Sequence, residues 1–187
     1  MRWEFNMQTE DKETLNKLTN FLSNLEEANT QYNLYLGGGC LRDLCFKGSF
    51  EDTKDFDTFA VPKKGYFFVN SALKLVNYCE HKTIDTVYLQ DMSERNVSAL
   101  IQGYADDILN PVDIIVYDKH LTPEELAEDF DFNVNQCVLG SDGVWSYTEA
   151  FKEAIGKLKL VQTKEYCPER MKERYQRMLT RLGKGWS

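Results

Sequence analysis

The chain of 187 residues is long enough for one domain, and its 42% apolar and 13% aromatic residues can fill a core. The net charge of -8 is uneven: residues 1–150 carry 12 basic and 26 acidic side chains, whereas residues 151–187 carry 10 basic and 4 acidic ones. This distribution excludes a protein that coats nucleic acid with its whole surface, because bulk phosphate binding needs broad positive potential. It allows one basic surface, at the C-terminal end.

Membrane and metal-site signals are weak in this sequence. It has no run of about 18 apolar residues, and residues 1–13 lack an apolar signal core, so we expect a soluble, cytoplasmic protein. The five cysteines are never spaced as Cys-x-x-Cys, which favours reduced thiols over a disulfide framework or a zinc site. With His81 and His120 as the only histidines, a protease triad is also disfavoured.

The apolar spacing predicts alternating helices and strands. In the first half we expect a helix over 10–28, a strand over 32–36, a helix over 40–47 ended by Gly48, a strand over 54–61 and a helix over 66–80. In the second half we expect strands over 85–91, 97–104 and 112–118, a helix from Thr122, helix over 131–139, a strand over 144–147, a helix to about 155 and a last helix from Pro168. At Thr122 an N-cap, a proline and a capping-box glutamate coincide.

The last predicted helix carries two parallel rows of side chains. Its apolar row is Met171, Tyr175, Met178 and Leu182. Its arginine row, one residue earlier at each step, is Arg170, Arg174, Arg177 and Arg181. The helix can therefore dock by the apolar row and present arginines beside the docking face. Two interpretations stay open: solvated arginines on a surface helix, or arginines directed at phosphate.

The clearest chemical signal is the segment 37–60, GGGCLRDLCFKGSFEDTKDFDTFA. A strand that runs into glycines and then into a helix offers bare backbone N–H groups and a positive helix end, which suit a triphosphate. Asp55 and Asp57 are two residues apart on the next predicted strand, so both carboxylates point to one face. Adjacent acids repel each other unless a cation binds them, and Mg²⁺ prefers carboxylate and phosphate oxygens.

A third acid, Asp113, interrupts the apolar strand over 112–116. If that strand pairs beside the strand of Asp55 and Asp57, three carboxylates converge and can hold two divalent ions, one at the attacking hydroxyl and one at the leaving phosphates. Other acids near this strand are predicted at strand edges or in turns: Asp106, Asp107 and Asp118. The alternative is an acidic rim that binds no metal.

These motifs together resemble the head domain of the poly(A) polymerase and tRNA nucleotidyltransferase (CCA-adding enzyme) family, within the polymerase-β-like nucleotidyltransferase superfamily. The family pattern GGxhRD, where h is hydrophobic, is matched by 38–43, the following DhD by 55–57 and the DFxhN element by 131–135. Pro168 and Arg170 resemble the start of the family's neck helix. The resemblance implies an α+β fold with a small mixed β-sheet flanked by helices, a head domain over 1–160 and a short basic, neck-like helix over 161–187.

The resemblance also implies roles for individual residues. The nucleotide-binding residues would be Gly38, Gly39, Arg42, Asp131, Asn135, Arg170 and Arg174. The catalytic residues, which would bind Mg²⁺ or Mn²⁺, would be Asp55, Asp57 and Asp113. An acceptor hydroxyl would attack the α-phosphate of an NTP and release pyrophosphate. A second role stays open for Arg42, as the partner of Asp43 or Glu51.

The sequence departs from the family pattern at two motifs, and these departures limit what the resemblance implies about nucleotide selection. In the tRNA enzymes two arginines precede the DFxhN aspartate, whereas this chain has Asp129 and Phe130. Of the EDxxR motif in the family's neck helix this chain keeps only Arg170, so the sequence does not support addition of CTP and then ATP. We also expect no room for the body and tail that grip tRNA in the family.

Three functional hypotheses follow. The first is a Mg²⁺-dependent transfer of a nucleoside monophosphate (NMP) to a hydroxyl, at an RNA 3′ end. The second is nucleotidylation of a protein, as in toxin–antitoxin pairs. The third is a nucleotide- or RNA-binding remnant without activity, which ranks last because Asp55, Asp57 and Asp113 are all present.

Overall fold

Six strands form one mixed β-sheet with helices against both faces. The computed structural model describes residues 7–66, 97–105, 107–165 and 168–187. The strands are β1 (Tyr32–Gly37), β2 (Phe56–Pro62), β3 (Val97–Gly103), β4 (Val112–Tyr117), β5 (Cys137–Gly140) and β6 (Trp145–Tyr147). The helices are α1 (Thr9–Ala28), α2 (Gly39–Lys47), α3 (Pro123–Glu128), α4 (Glu149–Lys157) and α5 (Pro168–Leu182). The fold is α+β, as the sequence predicts.

The strand order is β3-β4-β2-β1-β5-β6. The strands β2 and β4 pair in parallel, and the other neighbours pair antiparallel. The parallel pair lies inside the sheet, and both of its strands start at the same edge. Residues at the start of β2 and of β4 are therefore brought together although more than fifty positions of sequence separate them.

The two faces of the sheet carry different layers. Leucines of α1 and α2, among them Leu22 and Leu41, pack with Phe56 and Ile114 on one face. On the other face α3 packs against an aromatic layer that includes Phe59 and Tyr117. Successive residues of a strand point to opposite faces, so Asp57 and Asp113 lie on the face of the aromatic layer. The face covered by α1 and α2 is therefore a closed hydrophobic core, whereas the face covered by the aromatic layer also carries Asp57 and Asp113.

The C-terminal helix α5 docks by its apolar row, as predicted. Met171 and Met178 are buried in a cluster with Phe132 and Val134, and Tyr175 and Leu182 are partly buried against it. After α5 the chain turns back, and the N–H of Leu160 donates to the carbonyl of Ser187 over 2.8 Å. This docking fixes the arginine row relative to the sheet.

Several local predictions are confirmed. Gly48 ends α2 in the left-handed region, with φ 72°. The capping box at α3 is present in both directions: Thr122 Oγ1 accepts from the N–H of Glu125 over 3.2 Å, and the Glu125 carboxylate accepts from the N–H of Thr122 over 2.8 Å. In the described part of the chain, no helix is both long enough and apolar enough to cross a membrane.

The helical prediction for 131–139 is wrong. Residues 133–135 form a 3₁₀ turn and residues 137–140 form β5, which pairs with β1 and β6. Cys137 and Leu139 face one core cluster and Val138 faces the other, so β5 is buried on both sides. A strand buried on both faces lacks the alternating polar pattern that identifies strands in sequence. The predicted helix over 66–80, the strand over 85–91 and Asp106 lie outside the described residues.

Candidate active site

Two acidic side chains lie near the start of the two parallel strands. Asp57 on β2 and Asp113 on β4 are direct partners in the ladder, so their side chains point to the same face. Asp113 is only 8% exposed, and Asp57 is half-buried. Two carboxylates side by side repel each other, and a divalent cation bound to both relieves that repulsion. Their hard oxygen atoms fit Mg²⁺ or Mn²⁺.

The glycine motif lies against this acidic pair. Gly38 precedes α2 with φ 73° and ψ -141°, a conformation that side chains with a Cβ rarely adopt. A Cβ at Gly38 would come within 2.7 Å of Asp57 Oδ2. Both the backbone conformation and the lack of space for a Cβ therefore require glycine at position 38. As a result, the first backbone N–H groups of α2 lie close to the carboxylate of Asp57. A metal-bound phosphate held at Asp57 would be within the field of that helix end.

Asp55 differs from its predicted placement. The strand β2 starts at Phe56, so Asp55 precedes the strand, and it is exposed. Among the described residues, no group of three or more His, Cys, Asp or Glu side chains is arranged to hold a metal ion. The fold thus pairs Asp57 with Asp113, and a role for Asp55 as a third ligand stays a prediction.

The environment of Cys40 reflects the negative charge nearby. Its thiol donates to the carbonyl of Gly37 over 3.2 Å. Burial raises the pKa of this thiol well above its usual value, and the charge of Asp57 raises it further. At neutral pH Cys40 is therefore a neutral thiol that supports the glycine turn, and it is unsuited to act as a nucleophile.

Arg42 takes the second of its two expected roles in this structure. Its Nε and Nη2 lie 2.9 Å and 2.8 Å from Asp43 Oδ1, and both residues are buried. Its Nη1 donates to Asn135 Oδ1 over 3.2 Å. Arg42 still lines the cleft described below, and Asn135 lies beside it. The interaction with Asn135 joins the GGxhRD segment to the DFxhN segment.

Arginines of α5 form the opposite wall. Arg174 forms an ion pair with Asp131 at 2.7 Å, and Asp131 is buried. Arg181 forms an ion pair with Asp43. Arg177 does not share this position: it is exposed and outside the lining of the cleft. In the helical projection Arg177 is the member of the row that lies furthest from the docking stripe, so it points away from the sheet.

Many of these groups line one cleft of about 220 Å³, whereas Asp113 and Asp55 are not among its lining residues. The predicted site residues in its lining are Gly38, Gly39, Arg42, Asp57, Asp131, Asn135, Arg170 and Arg174. The lining residues that the sequence analysis missed as site residues are Phe59, Val97, Leu100, Ile115, Tyr117, Phe130, Met178 and Arg181. Phe59, Ile115 and Tyr117 lie on the same strand faces as the acids, at i+2 or i+4 from Asp57 or Asp113, which is a signal that the sequence carries once the strands are known.

The comparisons with known proteins concern the fold. No protein-family model matches the chain, and no curated protein sequence matches it significantly. Among solved structures, the Thermotoga maritima CCA-adding enzyme complexed with tRNA superposes with a TM-score of 0.57 at 12% identity, over 88% of this chain and 36% of that one. The chain has a nucleotidyltransferase fold.

Two further structures agree with this assignment. The Bacillus stearothermophilus CCA-adding enzyme in complex with CTP gives a TM-score of 0.53 at 16% identity, over 92% of this chain and 38% of that one. A CCA-adding enzyme with ATP gives 0.53 at 13% identity, over 80% of this chain and 34% of that one. The chain spans 34% to 38% of the length of these three enzymes. The resemblance predicted from the motifs is confirmed at the level of the fold.

Proposed function

We propose that the protein is a metal-dependent nucleotidyltransferase that transfers an NMP from an NTP to the 3′ hydroxyl of an RNA. The observation that carries the proposal is the pairing of Asp57 with Asp113 beside the glycine turn at Gly38. A carboxylate pair supports metal binding, and a helix start supports phosphate binding. Because the carboxylate pair and the helix start are adjacent, they favour a ligand that contains both a metal ion and phosphates, a metal–NTP complex.

The phosphate half of the site combines backbone and side-chain groups. The amides that follow Gly38 point out of the first turn of α2, where the helix dipole is positive. The guanidinium groups of Arg170 and Arg174 lie on the opposite wall of the cleft. A triphosphate between these two walls would be neutralised from both sides, which is what phosphoryl-type transfer requires of a protein.

The chemistry needs positioning more than it needs a protein nucleophile. Mg²⁺ held by Asp57 and Asp113, with Asp55 as the further predicted ligand, would supply Lewis-acid activation of the phosphate and the hydroxyl. The cleft would align the acceptor oxygen with the α-phosphorus, so that a new P–O bond forms as the bond to the leaving pyrophosphate breaks. The proton of the hydroxyl passes to a solvent water molecule in the same step.

RNA as acceptor has two supports. The neighbouring structures include CCA-adding enzymes with ATP, with CTP and with tRNA. The segment 151–187, which carries 10 basic against 4 acidic residues, forms one wall of the cleft through α5. Its short row of arginines suits the end of a nucleic acid better than a duplex, because few phosphates can be contacted at once.

A transfer assay tests the proposal. Each α-labelled NTP is incubated separately with the protein, Mg²⁺ and a mixed pool of RNA, and the products are sized on a denaturing gel. We expect label on RNA with at least one NTP. The variant Asp57→Asn with Asp113→Asn should lose more than about 100-fold in rate, since even changes that act indirectly on a metal ligand cost about 10- to 100-fold.

The matched control is Asp118→Asn, which changes an exposed carboxylate one residue beyond β4. This variant should keep the full rate. Label on protein in place of RNA would favour nucleotidylation of a protein acceptor. An absence of any transfer, or transfer that is unchanged in the double variant, would contradict the proposed function.

A further inference from the structure

A buried carboxylate, Asp43, is shared by two guanidinium groups in the wall of the cleft. Its Oδ1 accepts from Arg42 Nε over 2.9 Å, and its Oδ2 accepts from Arg181 Nη2. The side chain of Asp43 is 1% exposed. One buried carboxylate is therefore shared by two guanidinium groups close to the first turn of α2.

The two arginines differ in their access to a ligand. The Arg42 side chain is 4% exposed, and it also donates to Asn135 Oδ1 and to Met178 Sδ, so several of its N–H groups are already engaged. The Arg181 side chain is 31% exposed and lines the cleft. A ligand in the cleft can reach the guanidinium of Arg181 with less rearrangement.

The position of Arg181 is fixed from two sides. Besides Asp43, its Nη2 donates to the backbone carbonyl of Asp52, in the loop that follows α2. These contacts tie the end of α5 to α2 and to that loop, although α5 is separated from them by more than a hundred residues of sequence. A preorganised guanidinium loses less side-chain entropy when it binds phosphate oxygens.

We propose that Arg181 binds the terminal phosphates of the NTP and that Asp43 is its positioning residue. The inference rests on the proposed function and deepens it, because it moves to Arg181 a contact that the sequence resemblance implies for Arg42. A guanidinium can donate two parallel hydrogen bonds to a phosphate.

Inorganic tripolyphosphate is the probe, because it carries the phosphates without base or ribose. Its binding to the full chain is measured by calorimetry in the wild type, in Arg181→Gln and in Arg177→Gln. Arg177 is the matched control, since it is an arginine of the same helix that is exposed and outside the cleft lining. We expect Arg181→Gln to weaken binding about tenfold to 100-fold, the usual range for charge-assisted hydrogen bonds, and Arg177→Gln to change it less than about twofold.

Two further variants distinguish a direct contact between Arg181 and phosphate from an effect on folding stability or on net charge. Arg181→Lys keeps the charge beside Asp43 and should give an affinity between those of the wild type and Arg181→Gln, with an unchanged melting temperature. Asp43→Asn makes the protein more positive by one charge, yet it should weaken binding because Arg181 is no longer held in place. Stronger tripolyphosphate binding in Asp43→Asn would overturn the positioning role.

The outcomes distinguish this inference from the proposed function. Equal affinities of Arg181→Gln and Arg177→Gln, or no tripolyphosphate binding by the wild type, would overturn the assignment of Arg181 even if the protein transfers nucleotides. Binding that depends on Arg181 in a protein that transfers no nucleotide would support the assignment and contradict the proposed function.

Discussion

Asp57 and Asp113 lie directly opposite each other on the parallel strands β2 and β4. Two carboxylates on one sheet face repel each other, and Asp113 is only 8% exposed, so a divalent cation bound to both would stabilise the pair. The turn at Gly38 also places the N-terminal end of α2, where the helix dipole is positive, next to Asp57. A bound metal ion and its phosphate would add favourable charge interactions at this place.

Metal binding should be visible as stabilisation. We expect Mg²⁺ to raise the melting temperature of the wild type by about 5–10 °C when its concentration is about 100 times its dissociation constant, since binding then adds about 2.7 kcal/mol to the folded state. Asp113→Asn should abolish this increase, and the exposed-site control Asp118→Asn should retain it. The measurement is a thermal melt with and without Mg²⁺. An equal increase in all three proteins would show that the ion acts elsewhere.

Gly38→Ala should be more harmful than an ordinary glycine substitution. The new Cβ has both an unfavourable φ and a 2.7 Å approach to Asp57 Oδ2, so we expect a loss of at least about 2 kcal/mol in the free energy of unfolding. Gly143→Ala is the control, because Gly143 also has a positive φ, 76°, but its Cβ would have no neighbour within 4 Å. That variant should lose about 1 kcal/mol and keep its activity. Urea unfolding compares the two, and equal losses would argue against the close approach.

The ion pair between Arg174 and Asp131 should couple α5 to the DFxhN segment. Asp131 is buried and its distance to Arg174 is 2.7 Å, whereas the Arg174 side chain is 28% exposed, so solvent weakens the interaction in part. A double-mutant cycle with Arg174→Ala and Asp131→Asn should give a coupling free energy of about 1–2 kcal/mol. The parallel cycle with Arg177→Ala should give a value near zero. If both cycles give the same value, the ion pair contributes nothing specific.

The buried thiols should resist alkylation. Burial raises the pKa of Cys40 and of Cys137 well above the usual thiol value, so the reactive thiolate is scarce at pH 8 in the folded protein. We expect mass spectrometry after a short exposure to iodoacetamide to find both residues unmodified in the native protein and modified in denaturant. Cys45, which is partly exposed, should react before them. Rapid native modification of Cys40 would contradict its described burial.

The part of the fold that sequence could predict is the part built from local signals. The turn from β1 through Gly38 into α2, the glycine stop at Gly48 and the capping box at Thr122 each depend on residues within a few positions of one another. The position of Asp113 inside an apolar strand likewise indicated a candidate site residue, and the structure pairs it with Asp57. These local choices agree with the final structure, which is why the motifs located the cleft.

The features of the fold and of the site that the sequence did not predict depend on contacts between residues far apart in the chain. No local pattern separates a short strand buried on both faces, such as β5, from a helix. The start of β2 at Phe56, which leaves Asp55 outside the ladder, is decided by pairing with β1 and β4. The contact of Arg181 with Asp43 joins residues 138 positions apart, so that only the docking of α5 reveals it.

The proposed transfer of an NMP to an RNA 3′ hydroxyl is tested most directly by measuring the stoichiometry of the reaction. The protein is incubated with an NTP, Mg²⁺ and an RNA with a free 3′ hydroxyl, and pyrophosphate release is measured together with RNA length, in the wild type and in Asp57→Asn. We expect one pyrophosphate for each nucleotide added, no extension of the same RNA blocked by a 3′ phosphate, and loss of both signals in Asp57→Asn. Release of inorganic phosphate without extension, or equal extension by Asp57→Asn, would contradict the proposed transfer.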